Sequence, residues 1–404
     1  MRALVSILIT AYNAEDTIAY TLESAIAQTW QRKEIIVIDD GSTDRTAEVV
    51  RQFKNVKLVS TENQGLSGAQ NNAFPLSQGD YIQYLDADDL LAPDKIERQL
   101  AALREGDRSR VLLSSPWAPF YYRIRHAQFV RNSLCQDLSP VEWLLRKMRE
   151  NLHMQNATWL VSRELAEAAG PWDTRLDFDQ DGEYFCRVLL ASEGTRFVPG
   201  TGIYYRASGP NQVSFIGNSD KKKDSLLLTI KLHIQYLRSL EDSERVGKAC
   251  LAYIQRWCRN FYPERPDLMR EAQQLAAMLG GRLEIPELSW KYLWIQRLFG
   301  FAVAKRTSQR WNHYKLSVMR FWDKALFRLE SGKALVLLGS LLADFYRTVT
   351  QIRHVQREPG DWNIIQPKCP TRHLVELFDL INGVEDFGAV HCFNVIYGAL
   401  LNAC

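Results

Sequence analysis

Residues 80–89 read Asp80-Tyr81-Ile82-Gln83-Tyr84-Leu85-Asp86-Ala87-Asp88-Asp89, an apolar run that stops in three carboxylates. Tyr81, Ile82, Tyr84 and Leu85 are strand formers of the kind that bury in the middle of a sheet. Asp86 and Asp88 are two apart, so in extended backbone their side chains point the same way. Two hard anionic oxygens converging at a strand end favour a divalent cation. The alternatives are a cap, with Asp88 or Asp89 at the start of the next helix, and a solvated turn.

Working outward, Leu4–Ile9 reads as a strand, followed by Thr10-Ala11-Tyr12-Asn13 and an amphipathic helix. Ile18, Leu22 and Ile26 make its apolar face, with Asn13 as a candidate N-cap. Glu34–Ile38 is the next strand and runs into Asp39-Asp40-Gly41-Ser42-Thr43-Asp44. A third, Val56–Ser60, precedes Asn63-Gln64-Gly65 and a helix that Pro75 should end early. Strand and helix alternate, which predicts an α/β class: an open, twisted, mostly parallel sheet with helices on both faces. Each polar cluster falls just past the C-terminal end of a strand, where such sheets bind ligands, most often nucleotides. No Gly-x-Gly-x-x-Gly follows the first strand and no Gly-Lys-Ser/Thr phosphate loop occurs. Without those cradles a bound diphosphate needs a cation, and Asp86 and Asp88 are placed to hold one.

Thr10-Ala11-Tyr12-Asn13, Asp39-Asp40-Gly41-Ser42, Asn63-Gln64-Gly65 and Asp86-Ala87-Asp88-Asp89 occur in an order and spacing that resembles the family 2 glycosyltransferases. These are inverting enzymes with the nucleotide-sugar-binding GT-A fold, and the resemblance covers about residues 1–215. It implies a nucleotide-sugar site built from Thr10, Tyr12, Asn13, Asp39, Asp40, Asn63, Gly65, Gln70, Asp86 and Arg206. Tyr12 would lie against the nucleobase, and Asp40 would accept a hydrogen bond from it. Asp39 would serve the same pocket or fix the loop. Asp86 would meet the ribose or the water shell of the metal, and Asp88 would bind the metal, Mn²⁺ or Mg²⁺, directly. The chain departs from the family pattern at Gln70, where an Arg is common, and at Ser208, two positions after Arg206, where a His is common.

The second cluster is Trp172-Asp173-Thr174-Arg175-Leu176-Asp177-Phe178-Asp179-Gln180-Asp181-Gly182-Glu183. Asp177, Asp179, Asp181 and Gly182 match the start of an EF-hand loop, but its twelfth position is Val188 rather than Glu, and Gly170-Pro171 breaks the chain upstream. The calcium reading fails. The resemblance instead implies that Asp181 is the catalytic base at the mouth of a helix striped by Tyr184, Val188 and Ala191; a helix cap is the alternative. Such a base takes the proton of an acceptor hydroxyl, which then attacks the anomeric carbon from the face opposite the nucleotide. The implied activity moves a sugar from a nucleoside-diphosphate sugar, UDP favoured, to a glycan or lipid-linked acceptor, as in polysaccharide or lipopolysaccharide assembly. The alternative is a carbohydrate-binding or scaffold protein of the same fold without turnover. Ser139–Met148 reads as a helix and Asn156–Val161 as a strand, with His153, Asn156 and Trp159 as candidate acceptor-binding residues against an equal claim from ordinary packing. Asn156-Ala157-Thr158 matches a glycosylation acceptor, a match that short sequences make by chance.

A chain of 404 residues with net charge +3 and 11% aromatic residues is globular and can hold two or three domains. Its seven scattered Cys include no Cys-x-x-Cys pair, which argues against zinc and against a disulfide framework. The first strand begins almost at once, leaving no room for a signal peptide, and the longest apolar run, Ala334–Ala343, is short of the roughly 20 residues that span a bilayer. A cytoplasmic protein is expected. Beyond residue 215 the pattern turns helical, with Ser225–Leu240, Glu244–Phe261, Asp267–Leu279 and Trp290–Phe299. The expected organisation is a catalytic domain over 1–215, a helical domain over 216–330 and a helical or irregular tail over 331–404. From Lys291 to Lys333 there are ten Lys and Arg against Asp323 and Glu330, with Trp290, Trp294, Trp311 and Trp322 interleaved. Such helices lie on anionic membrane surfaces or pack on a neighbouring domain, and both readings stand. No nucleic-acid-binding motif accompanies the charge.

Overall fold

The computed structural model describes residues 3–104, 110–207, 215–217, 219–285 and 288–330. Strand and helix alternate from the start: β1 (Val5–Ala11), α1 (Ile18–Ile26), β2 (Lys33–Asp40), α2 (Thr46–Val50), β3 (Lys57–Thr61), α3 (Gly65–Ala73) and β4 (Tyr81–Asp86). Then come β5 (Leu90–Leu91), α4 (Lys95–Ala101), β6 (Val111–Ser114), β7 (Trp117–Phe120) and α5 (Pro140–Glu150). β8 (Val161–Ser162), α6 (Arg163–Ala169), α7 (Gln180–Ala191), β9 (Gly194–Phe197) and β10 (Ile203–Arg206) follow. The rest is helical: α8 (Asp220–Leu240), α9 (Glu244–Trp257), α10 (Pro266–Met278), α11 (Leu293–Phe299) and α12 (Phe301–Glu330).

The main sheet has the order β3-β2-β1-β4-β8, parallel except for β8. β1 is buried throughout because it has a parallel partner on each side and a helical layer on each face. Alternation divides its side chains. Val5, Ile7 and Ile9 join Ile18, Leu22 and Ala25 of α1, while Leu8 joins Ile36, Ile38, Ala69 and Ala73 on the α3 side. Each fully buried aliphatic side chain contributes about 1.5–3 kcal/mol. Register pairs Thr10 with Asp86 and Ala11 with Asp39, so the ends of β1, β2 and β4 lie side by side. That alignment brings three separate sequence motifs to one edge.

The α3-side core also takes in Trp159, Tyr184, Leu226, Ile230, Ile254 and Phe261. Helices α8 and α9 therefore share a core with the sheet, and the change near residue 215 is one of secondary structure within a continuous apolar interior. The chain divides into compact units Met1–Ala334 and Leu335–Cys404, and the description concerns the first. Ser208, the Ala334–Ala343 run and the 331–404 tail lie outside the described residues. No helix among the described residues is long and apolar enough to cross a membrane.

Several local expectations differ in detail. α3 stops at Ala73 and passes into a 3₁₀ turn containing Pro75, as the ring requires. Ser139 caps α5 by accepting from the Glu142 N–H. Asn13 is not a cap: α1 begins at Ile18, and Asn13 sits at φ 49° with its side chain turned to the next loop. The strand expected over Asn156–Val161 is a 3₁₀ turn at Asn156–Thr158, because Gln155 Oε1 accepts from the Ala157 N–H and draws the backbone into a turn. β4 ends at Asp86 and Ala87–Asp88 form a turn, so the two carboxylates do not share the parity of an extended strand. Neither Asp88 nor Asp89 caps a helix, since α4 starts only at Lys95.

Candidate active site

The strand ends open on a cleft of about 1600 Å³. Thr10, Tyr12, Asn13, Asp40, Asn63, Gly65, Asp86, Asp88, His153, Asn156, Asp181 and Arg206 line it; Asp39, Gln70 and Trp159 do not.

One end is built by the loops after β1 and β2. Asn13 Oδ1 accepts from the Thr43 N–H at 2.8 Å, and the Asn13 N–H donates to Ser42 Oγ at 2.9 Å, so the two loops are stitched together. Tyr12, 54% exposed, offers an open ring beside them. Asp40 accepts from the Gln64 and Gly65 N–H groups at 2.8 and 2.9 Å, holding the start of α3 against the cleft. Gly41 has φ 73°, and a Cβ there would press on the Asn63 backbone, so glycine is required for this close approach. Asp39 is buried and accepts from the Ser42 N–H and Ser60 Oγ, which is the loop-fixing role. Gln70 is fully buried behind the wall, donating to Thr10 Oγ1 at 3.3 Å. An amide buried there supports Thr10 from behind and does not reach into the cleft.

The acidic turn is pinned from two directions. Asp86 accepts from Asn156 Nδ2 at 2.9 Å and Gln155 Nε2 at 3.3 Å. Asp89 is fully buried and accepts from Gln155 Nε2 and from the Arg206 N–H at 2.8 Å. Arg206 Nε donates to the Asp88 carbonyl and Nη1 to the Tyr121 carbonyl, each at 2.9 Å, with the guanidinium 4.5 Å over the Phe120 ring. Burial, then the charges of Asp88 and Asp181, push the Asp86 carboxyl up to about 7. Asp89 is pushed well up by burial, then by Asp88 and Asp86, with Arg206 opposing. Carboxylates crowded in this way are stabilised by a cation. Among the described residues no group of three or more His, Cys, Asp and Glu is poised to hold a metal by itself. Asp86 and Asp88 suit an ion whose remaining ligands are phosphate oxygens and water, the usual arrangement for Mg²⁺-type sites.

On the far side, Asp181 lies in the first turn of α7, close enough for its charge to act on Asp86, Asp179 and His153. Asp179 precedes the helix at φ 58°, its carboxylate so near Gly182 that a Cβ there would collide with it. Burial raises Asp179 to about 7; Lys147 opposes the rise, and Asp181 and Glu183 add to it. Glu183 is engaged elsewhere, since it is buried, paired with Arg187 at 2.7 Å and accepts from Tyr236 Oη at 2.6 Å. The His153 imidazole lies 5.2 Å from the Trp117 ring, and burial followed by the Lys147 charge lowers its pKa. Lys147 has a buried stem on α5 and lines the cleft.

Of the candidate acceptor residues, Trp159 lies away from the cleft and Asn156 is partly engaged. Trp159 is 1% exposed and stacks on Phe185 at 5.4 Å, so it is core. Asn156 is buried at the cleft wall with its Nδ2 committed to Asp86, while its Oδ1 has no hydrogen-bond partner among the described residues. Sequence reasoning missed Gln155, Asp89 and Lys147. Asp89 was visible as the third carboxylate of the motif; a lone Gln and a Lys on an amphipathic helix carried no signal.

Residues 6–139 match the family model described as glycosyl transferase family 2. A 100-residue stretch is 43% identical to the UDP-Glc:alpha-D-GlcNAc-diphosphoundecaprenol beta-1,3-glucosyltransferase WfaP of Escherichia coli, covering 24% of this chain and 40% of that protein. WfgD of Escherichia coli, which carries the same activity name, is 37% identical over 109 residues, 26% of this chain and 43% of that protein. The chain thus spans less than two thirds of the length of these curated relatives. Among solved structures, S. aureus TarS 1-349 in complex with UDP-GlcNAc superimposes with a TM-score of 0.54 at 15% identity, covering 68% of this chain and 81% of that one. That likeness is one of fold. The motif-bearing N-terminal part of this chain is a glycosyltransferase family 2 domain on the GT-A fold.

Proposed function

We propose that the protein is an inverting glycosyltransferase that moves a sugar from a UDP-sugar to a hydroxyl of a glycan or lipid-linked acceptor. The observation that carries this reading is the placement of Asp181 across one cleft from the Asp86–Asp88 turn, so that an acceptor base and a metal-and-diphosphate site address a single space. Tyr12 stacks on the nucleobase and Asp40 accepts from it, its carboxylate held in position by the α3 amides. Asp86 and Asp88 hold Mn²⁺ or Mg²⁺, with Gln155, Asn156 and Arg206 fixing the turn that carries them. When bound, the ion stabilises negative charge on the departing diphosphate. Asp181 removes the proton from the acceptor hydroxyl as it attacks the anomeric carbon from the face opposite the nucleotide. UDP as the nucleotide is supported by the names of WfaP and WfgD, and a diphosphate-lipid acceptor by the same names.

Contact with a membrane surface has its own support. Trp311, Tyr314, Val318, Phe321, Trp322 and Leu329 are exposed at helical spacing on α12, and Trp294, Leu298 and Phe299 are exposed on α11. Arg310 and Lys315 flank that stripe, which fits an anionic lipid surface. Sedimentation with anionic liposomes tests it, and absence of binding at low salt would return these helices to packing.

The activity is tested by screening nucleotide sugars with Mn²⁺ for release of nucleoside diphosphate, with and without glycan and lipid-linked acceptors. Acceptor-dependent release is expected with a UDP-sugar. Binding without turnover across the screen would favour the carbohydrate-binding or scaffold reading.

A further inference from the structure

α12 lies far beyond the residues that match the family model, yet its inner face forms part of the cleft wall. Arg320, Lys324 and Phe327 line the cleft together with Tyr121, Tyr122 and Arg206. The helix is fastened there by its only two acidic residues. Asp323 accepts from the Tyr122 and Arg123 N–H groups at 2.8 and 3.2 Å and pairs with Arg123 Nε at 2.7 Å. Glu330 pairs with Arg123 Nη1 at 3.0 Å and with Arg125. Each carboxylate thus has a counter-charge on the loop after β7. Lys324 Nζ stands 5.5 Å over the Tyr122 ring, a contact that holds a cation without neutralising it. Arg320 Nε is buried without a hydrogen-bond partner, a state that an entering anion would relieve.

The contacts from this wall lead to the acidic turn. Tyr121, beside Arg320 on the cleft, gives its carbonyl to Arg206, whose Nε donates to the Asp88 carbonyl. A guanidinium fork and an ammonium on the wall of the cleft that also holds the Asp86–Asp88 turn form a phosphate-binding arrangement. Phosphate could come from the donor or from a phosphate-bearing acceptor. The hydrogen bonds that link the Tyr121 carbonyl through Arg206 to the Asp88 carbonyl favour the donor.

We propose that α12 completes the donor site, with Arg320 and Lys324 binding the diphosphate of the nucleotide sugar from the α12 wall of the cleft. The proposal rests on the glycosyltransferase reading above. It is tested on the full chain by calorimetry with UDP plus Mn²⁺ and with uridine, at low and moderate salt, for wild type and for Arg320→Ala/Lys324→Ala. Arg306→Ala/Lys315→Ala, which removes the same charge from α12 outside the cleft, is the control. The cleft variant should bind UDP at least about tenfold more weakly, with a flatter salt dependence, while uridine binding and the control stay unchanged. Arg320→Gln/Lys324→Gln, with thermal melts, answers a folding defect in the alanine pair and should show the same loss. If wild type binds no UDP, the UDP-sugar reading itself fails. If wild type binds UDP and both cleft variants bind it equally well, the α12 proposal is overturned. Unchanged UDP affinity with turnover lost only for a phosphate-bearing acceptor would overturn the donor assignment and place the phosphate on the acceptor.

Discussion

Asp181→Asn keeps the shape of the side chain and removes its ability to take a proton. If Asp181 is the base, kcat should fall about 10²–10⁴-fold, equivalent to about 2.7–5.5 kcal/mol of lost transition-state stabilisation. The surroundings set the sign of a second effect. The Asp181 charge is among the causes, after burial and Asp88, that hold the Asp86 carboxyl up to about 7. Removing that charge favours ionised Asp86 at neutral pH, so metal-dependent binding of UDP should hold or tighten. Loss of rate with retained donor affinity separates a base from a binding residue. Steady-state diphosphate release and calorimetry with UDP and Mn²⁺ measure the two quantities. Glu183 cannot substitute, because Arg187 and Tyr236 occupy its carboxylate. Asp179 is the remaining neighbour, so a full-rate Asp181→Asn enzyme together with an inactive Asp179→Asn would refute the assignment and move the base to Asp179.

Glu183→Gln should destabilise the fold by about 3 kcal/mol, because a buried partner of Arg187 loses its charge; a thermal midpoint equal to wild type would contradict this. Trp159→Ala should cost about 3–5 kcal/mol of stability as a core truncation, whereas unchanged unfolding with a raised acceptor KM would restore its acceptor role. Asp179 gives a pH dependence. Its folded pKa of about 7 exceeds the ordinary 3.8, so the folded state binds the proton more tightly and this contribution to stability is lost as pH rises from about 4 to about 7. Asp179→Asn should therefore flatten the fall in thermal midpoint between those pH values, and an unchanged slope would show that the carboxyl does not titrate there.

Much of the α/β half could be read from local pattern. The buried runs of β1, β2 and β4, the helix after Gly65, its termination near Pro75 and the Ser139 cap all depend on interactions within a few residues. The polar clusters at strand ends were legible because a parallel sheet sends successive C-terminal ends to one edge, as the Thr10–Asp86 and Ala11–Asp39 register does. Outcomes set by distant partners were not legible. Asn13 looks like a cap until Thr43 is beside it, Asn156 looks like a sugar ligand until Asp86 takes its amide, and Trp159 is core only because Phe185 and Trp143 meet it. Gln155 reaches Asp86 and Asp89 across almost 70 residues of chain, and Asp323 reaches the loop after β7 across 200. Sequence by itself determined the order of strands and helices and the residue types available at the strand ends. Which of those residues face the cleft, which are held behind it and which C-terminal helix forms its wall was decided by tertiary packing. Periodicity and turn chemistry act over a few residues, whereas the destination of a polar side chain depends on whatever the whole fold places within hydrogen-bonding distance.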